Sequence, residues 1–597
     1  MKSNTSAPST RKYCGRSATL ALVVGLVAGV FGACGGDDPS GGPGADGGVG
    51  GDGSDFGPKP AWQGLPGARL ADLPKEGPAA TTHFVTAEQC RQCHQANDSN
   101  PTATRDAKGR DVSPGTTWRK SMMGLAARDP YYLAVWSQER QQYASLKTAV
   151  DAVCTRCHAS AGNIETGGKL SFETLVSGTS QEAGVGRDGV NCTVCHQILP
   201  TGLGTAATFT GQFTTGDQRQ VYGPHLGPDT NPMQVFVNYT PSYSDHVLKS
   251  SLCSTCHTVI TPARDPSTGE LLGPQFPEQT PYLEWLNSAF QDESTPPGKR
   301  AMTCIGCHVP PTDEDGKVIK TALAVSPQGL TPREPFGRHH FPGSSSGMLR
   351  LIAKGAQFVG TTVPVAELED QAKRSEAHVS KAADLKIESA ARAGDALEVK
   401  VRVVNQTGHK LPTGYPSRRM WLHVSVKNGD ATVWESGAWD GWGRLVSGGK
   451  ILDVAGTFQP HRDVVSAPAE VQIWEGIAGN DQGAPATHLL EATKYLKDNR
   501  LLPDGYDPTH RVAIYMRPQG VTGDPDFGSS DLVTYRITPA PPAGATVAVE
   551  LVFQSVRPQE LDAMAKKPTP TTLKFFDLAQ ESPLVPFVMT RAETKAP

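Results

Sequence analysis

Cysteine is scarce outside one recurring string, and that scarcity removes a class of structures. Of the 12 cysteines in 597 residues, ten lie in five copies of Cys-x-x-Cys-His; only Cys14 and Cys34 stand apart, near the start of the chain. With the ten otherwise employed, no disulfide framework can be built. An excess of positive charge is missing too. The net charge of −4 becomes −8 once the four basic residues Lys2, Arg11, Lys12 and Arg16 are removed. Nucleic-acid binding needs Lys and Arg against phosphates, so this chain suits basic partners or metal cations better than nucleic acid. The apolar run from Ala18 to Ala33 falls short of the roughly 20 residues of a membrane span.

What is present is the string itself: Cys90–Cys93–His94, Cys154–Cys157–His158, Cys192–Cys195–His196, Cys253–Cys256–His257 and Cys304–Cys307–His308. At this chain's Cys and His frequencies, chance supplies about 0.006 such strings. The spacing is that of c-type haem attachment. Two thiols add across the porphyrin vinyl groups, and the adjacent His offers an axial nitrogen to the iron. Zinc-knuckle or disulfide cysteines are the competing reading. Five haems c are expected, each held by the two thioether cysteines and the proximal His of one motif.

The first 33 residues combine a basic stretch, a short apolar run and the small-residue ending Phe31-Gly32-Ala33-Cys34. That pattern predicts a secretory signal over 1–33. Cys34 at the new N-terminus resembles the lipidated cysteine of bacterial lipoproteins; plain cleavage nearby is the alternative. Resemblance to other c-type cytochromes implies export as well. The expected place is the periplasmic or cell-surface side, lipid-anchored to a membrane, with the outer membrane favoured. Gly-rich sequence follows Cys34 to about Asp55, and a flexible tether is expected over 34–79.

Three further segments are expected: a haem domain over 80–360, a connecting helix over 361–384 and a β-sandwich over 385–597. The fold class is α+β, a loop-rich, helix-containing domain followed by an all-β domain of immunoglobulin type. Short helices are predicted at Thr117–Ala127, Tyr131–Leu146, Met348–Phe358 and Val365–Ala383. Leu397, Val399, Val401 and Val403 alternate with charged residues, the period of a half-buried strand. Asn428-Gly429 between two apolar runs marks a hairpin. Strands are also expected at Val512–Met516, Leu532–Ile537 and Val547–Phe553. This half holds no cysteine, hence no haem of its own.

A sixth iron ligand would separate a closed electron carrier from an open, substrate-binding site. Eleven histidines lie outside the motifs, so counting cannot assign them. Trp118-Arg119-Lys120-Ser121-Met122-Met123 resembles the Trp-x-x-Ser-x-His segment of multihaem cytochromes related to the tetrahaem and octahaem carriers of nitrogen and metal respiration. The resemblance makes Met123 a candidate distal ligand; a core methionine is the alternative. A related string, Trp285-x-x-Ser288-x-Phe290, places Phe290 there, which ligates nothing. His225 and His246 lie upstream of the fourth motif, where such cytochromes often carry distal ligands. His340, in Arg338-His339-His340-Phe341-Pro342-Gly343, matches the histidine of their His-Phe-x-Gly-Gly segment. Asn405-Gln406-Thr407-Gly408-His409-Lys410-Leu411-Pro412-Thr413-Gly414 closely resembles a string in multihaem cytochromes with a C-terminal β domain. That makes His409 a candidate donated across the domain interface. Each of these histidines has a structural alternative, on the surface, in the core or within its own turn.

The leading reading is electron transfer along five covalently bound haems between cell-envelope redox proteins, with no catalytic residue assigned. An oxidoreductase of nitrite or hydroxylamine type, with one open iron, is the alternative. Pentahaem nitrite reductases typically carry a Cys-x-x-Cys-Lys motif, and all five motifs here end in His. In a third reading the β domain docks partners, with Trp439 and Trp442 on a contact surface; both suit a turn-flanking core equally.

Overall fold

The computed structural model describes residues 56–597. The signal segment 1–33, Cys34, Cys14 and most of the Gly-rich stretch lie outside the described residues. Among those described, no helix is long and apolar enough to cross a membrane.

The tether expected over 34–79 does not extend that far. From Phe56 on, the chain is a strap laid over the body. Trp62 is buried and stacks on Phe576 at 5.5 Å, edge-on to Trp442 at 5.8 Å. Arg69 pairs with Asp577, and the backbone amide of Leu73 donates to the Phe358 carbonyl at 2.8 Å. Two large apolar residues, Trp62 and Leu73, supply the burial that the Gly-rich stretch lacks.

The motif half is loop-rich with short helices. The helix expected at Thr117–Ala127 runs Pro114–Arg119, and turns continue from there. The hydroxyl of Ser121 donates back to the Trp118 carbonyl at 2.7 Å, the kind of side-chain bond that competes with a helical ladder. Pro130–Gln142 is a full helix, with Asp129 capping its first amides. Ser346–Lys354, Ala356–Val359 and Val365–Val379 follow the predicted helical stretches closely.

The second half is a sandwich. Its strands are β1 (Ala383–Ala393), β2 (Ala396–Asn405), β3 (Arg419–Asn428), β4 (Ala431–Ser436), β5 (Val464–Val465), β6 (Ile473–Gly479), β7 (Lys494–Asp498), β8 (Ser530–Ile537), β9 (Thr546–Gln554) and β10 (Phe587–Lys595). One sheet runs β5-β8-β2-β1; the other runs β7-β6-β3-β9-β10, with β4 beside β3. The β1-β2-β8 and β3-β9-β10 groupings are those of an immunoglobulin-type sandwich. The parallel pairing of β5 with β8 is a departure. Alternation decides the core: Leu397, Val399, Val401 and Val403 of β2 bury against the same cluster as Leu422, Val424, Val547, Val549 and Leu551. The predicted strand at Val512–Met516 is instead a 3-10 turn, Ala513–Tyr515.

The segment expected over 385–597 also holds more than strands. Between β9 and β10 the chain leaves the sandwich for two helices, Pro558–Ala565 and Pro570–Glu581. Leu573, Phe575, Phe576 and Leu578 join the core built by the Pro130–Gln142 and Ser346–Lys354 helices. Gln138 donates to the Lys567 carbonyl and the Thr572 hydroxyl across that junction. The described residues thus fall in one compact unit. Trp439 packs edge-on to Trp421, and Trp442 packs on Phe56 and Trp62. Both are packing residues here.

One buried charge group of the sandwich has a measurable signature. His423 on β3 bonds Glu435 of β4 through Nε2 and Glu550 of β9 through Nδ1, both at 2.9 Å. Burial opposes the charge, but the two carboxylates outweigh it and raise His423 to about 9. This stability is fully present below the unfolded value of about 6.5 and is lost as pH rises through about 9, on the order of 2 kcal/mol. The denaturation midpoint should therefore fall between those pH values in the wild type but not in His423→Gln. Identical slopes in the two proteins would refute the assignment.

Candidate functional site

Each motif is wound on a helical turn, which puts Cys i, Cys i+3 and His i+4 on one face. The turns are Ala87–His94, Lys147–His158, Cys192–Cys195, Ser250–Cys253 running into Cys256–His257, and Cys304–His308. Asn191 and Thr303, each just before a first cysteine, accept the Val194 and Gly306 amides and start the third and fifth turns. All ten thiols are free.

The ring hydrogen bonds of the motif histidines carry more information than the spacing. His94 Nδ1 faces the Leu323 carbonyl at 2.9 Å, His158 Nδ1 that of Ala126 at 3.0 Å, His196 Nδ1 that of Tyr222 at 2.6 Å and His308 Nδ1 that of Pro342 at 2.9 Å. A carbonyl only accepts, so Nδ1 carries the proton in all four and Nε2 keeps its lone pair. That is the tautomer a metal-ligating imidazole needs, oriented by an outer-shell carbonyl. Burial pushes all five rings below the usual histidine value, His158 and His257 to about 4, so they stay neutral. Free paired thiols and neutral rings with an available Nε2 fit a covalently attached haem. Zinc-knuckle sites gather their thiolates and imidazoles around one ion. Among the described residues, the groups disposed to share an ion are His461 with Asp524 and Asp531, and Asp463 with Asp524 and Asp526, none of them from a motif.

The motifs are joined to one another by specific contacts. The Cys90 and Cys192 thiols are electrostatic neighbours, as are Cys157 and Cys256, Cys253 and Cys304, and Cys195 and Cys256. Asp188 ties the first motif to the third: it accepts from the Ala87 amide at 2.6 Å and from the Asn191 side chain at 2.9 Å. Ser250 ties the fourth to the fifth, accepting from the Cys304 amide at 2.9 Å. Gly211, at φ +72°, sits between the second and fourth; a Cβ there would lie 2.5 Å from Arg156 Cβ and 3.0 Å from Cys157 Sγ. The fourth motif is therefore a hub, with the second, third and fifth around it and the first beyond the third.

The candidate distal residues fare differently. Met123 packs in a small cluster with Cys195 and Cys256 at its edge. His225 is half-buried, lowered by burial and by Arg333. His246 spends both ring nitrogens: Nε2 must donate to the Ile198 carbonyl at 2.9 Å, and Nδ1 takes the Ser244 hydroxyl at 2.7 Å. Both of its ring nitrogens are thus engaged. His340 Nδ1 bonds Gln371 Oε1 at 3.0 Å, and Gln371 returns a bond to the His340 carbonyl at 2.8 Å. Burial, then Arg374 and Lys120, lower His340 to about 3.

His409 stands on a loop clamped from two sides. Its Nδ1 donates to the Lys410 carbonyl at 2.9 Å, leaving Nε2 free. The Lys410 ammonium is buried on Asp498 at 2.5 Å, in the sandwich. The Lys410 amide and the Thr413 hydroxyl both donate to Glu284 of the Pro281–Leu286 helix, at 2.9 and 2.5 Å. A Cβ at Gly408 would lie 3.0 Å from both Trp285 and Phe290. The string with Phe290 in place of a ligand is thus the seat of this loop. His409 is an electrostatic neighbour of His308.

Two residues beyond the sequence candidates also stand beside motif histidines. The His378 ring lies 5.1 Å from that of His308, and the His339 ring 6.4 Å from that of His196. His378 ends an ordinary amphipathic helix, and His339 adjoins a better motif match. Neither carried a local signal.

Glu284 is fully buried, and Glu284→Ala leaves the Lys410 amide and Thr413 hydroxyl without their acceptor. Such a loss costs about 2–4 kcal/mol. Amide exchange over 405–414 should rise sharply while β2 and β3 stay protected. Unchanged exchange in that loop would show that Glu284 does not hold it.

No family model matches the chain, and no curated protein matches it. Among solved structures, a penta-heme cytochrome c552 from Thermochromatium tepidum is similar. It is 15% identical, with 86% of this chain and 100% of that chain covered and a TM-score of 0.48. At that score the likeness settles neither fold nor chemistry.

Proposed function

We propose that the chain is a pentahaem c-type cytochrome that carries electrons between redox proteins of the cell envelope. The observation that carries this reading is the paired state of the motifs. Each offers two free thiols and a neutral histidine on one helical turn, and four of the five histidines have Nδ1 pinned to a carbonyl with Nε2 free. Bound haem iron supplies the one-electron chemistry. The protein supplies spacing, burial and axial nitrogens. The joined thiols support a branched path: first to third to fourth motif, with the second and fifth meeting at the fourth. The sandwich contributes through His409, offered beside His308 by the clamped loop. Export, lipid attachment at Cys34 and an outer-membrane place belong to the same reading. They rest on the N-terminal sequence and on the acidic net charge, which suits basic envelope partners.

The test is intact mass with pyridine haemochrome quantitation, then electron paramagnetic resonance of the ferric protein with and without nitrite. Five haems per chain, all low-spin and indifferent to nitrite, are expected, and replacing both cysteines of any one motif should remove one haem. Fewer than five haems would overturn the count. A high-spin signal of about one haem in five that shifts with nitrite would favour the nitrite- or hydroxylamine-type oxidoreductase.

A further inference from the structure

We propose that His339, not its neighbour His340, is the sixth ligand of the iron held by the third motif, opposite His196. The inference rests on the haem-binding reading above and names one of its ligands.

The geometry is that of two imidazoles with room for one metal between them. An iron bonded at about 2 Å to each ring, with about 1.15 Å from ring centre to nitrogen, separates the centroids by roughly 6.3 Å. The His196 and His339 centroids are 6.4 Å apart, with the rings inclined by 30°. The other motif pair in ring contact, His308 and His378, is 5.1 Å apart, closer than an iron held in line requires.

The ring nitrogens agree. His196 Nδ1 is committed to the Tyr222 carbonyl at 2.6 Å and His339 Nδ1 to the Gly337 carbonyl at 3.0 Å. Both Nδ1 atoms carry protons, so both Nε2 lone pairs are free. His339 is held in place by its own backbone: its amide donates to the Thr117 hydroxyl at 3.1 Å, and Phe341 packs edge-on to its ring at 5.8 Å.

The two rivals are placed differently. His246 is a close neighbour of His196, but both its nitrogens are spent on Ser244 and Ile198. His340 is turned to the Val365–Val379 helix, where Gln371 holds it, among the cations Arg374, Lys120 and Arg338. Phe341, at φ +44°, lies in the left-handed region, and the chain reverses just after the two histidines. Successive side chains then serve different neighbours: His339 the third motif, His340 the connecting helix.

The experiment compares His339→Gly and His340→Gly in the full chain, purified with haem quantified. His339→Gly should keep five haems and turn about one-fifth of the iron high-spin; added imidazole should restore the low-spin signal. His340→Gly should leave the spin state unchanged. Removing Cys192 and Cys195 together should abolish the high-spin signal of His339→Gly. If His339→Gly does not fold, His339→Met in a potentiometric titration should raise one midpoint potential and leave the other four. The assignment is overturned if His339→Gly stays wholly low-spin with five haems, if His340→Gly gives the high-spin iron, or if the signal persists without the third motif. A wild-type protein without haem would instead overturn the haem reading itself.

Discussion

A single hydrogen bond, from a histidine Nδ1 to a main-chain carbonyl, fixes where the ring lone pair points in four of the five motifs. A neutral imidazole has one lone pair, and whichever nitrogen carries the proton decides where it points. Here the accepting carbonyls belong to Leu323, Ala126, Tyr222 and Pro342, none in the motif it serves and one 229 residues away. The attachment strings are local, but the chemistry of their histidines is set by the whole fold. The irregular segments between the motifs and after the fifth bring these carbonyls to the rings. Backbone left unpaired by secondary structure must find partners when buried, and ring N–H groups are suitable ones.

The same locality explains what was legible in the sequence. The Cys-x-x-Cys-His turns, the β2 alternation and the Asn428-Gly429 hairpin each occupy a short window, and each stands in the structure as read. Distal groups do not share that property. His339 and His340 are adjacent and chemically identical, so only their surroundings separate them, and those come from Thr117, His196 and Gln371. The contact of His246 Nε2 with the Ile198 carbonyl likewise comes from 48 residues away. The helices between β9 and β10 escape a sequence reading for a related reason. The Pro570–Glu581 helix buries Leu573 and Phe576 in a core that the sequence places more than 400 residues earlier, with Trp62 and Leu133. Periodicity reveals that a helix has an apolar face but not which core receives it.

The sandwich is tied to the motif half by charge as much as by apolar burial. Lys410 has its amide on Glu284 and its ammonium on Asp498, and Asp498 also takes Arg500 at 2.7 and 2.8 Å. Buried pairs of this kind contribute little net stability, because desolvation cancels most of the attraction. Their geometry is demanding, however, and an unmatched partner is heavily penalised. The pairing selects one position for the 406–412 loop among the many that a Gly/Pro-rimmed loop could take. His409 inherits that position. The ring beside it is therefore placed by electrostatic selection rather than by hydrophobic packing, which tolerates small slides.

The hub position of the fourth motif follows from where the connecting groups sit, and it bears on direction. Gly211 and Ser250 let the second and fifth motifs approach it closely, while Asp188 and Asn191 hold the first against the third. A linear file of sites has two ends; this arrangement has three, at the first, second and fifth motifs. The fifth lies beside the sandwich loop, and the second adjoins the Pro130–Gln142 helix that receives the C-terminal helices. His257, in the motif at that junction, is the one motif histidine whose ring has no hydrogen bond among the described residues. Without a carbonyl to fix it, its lone pair is oriented by packing and by the cation of Arg418, which adds to burial in keeping the ring neutral. The motif at the junction is thus the one with the least constrained histidine ring.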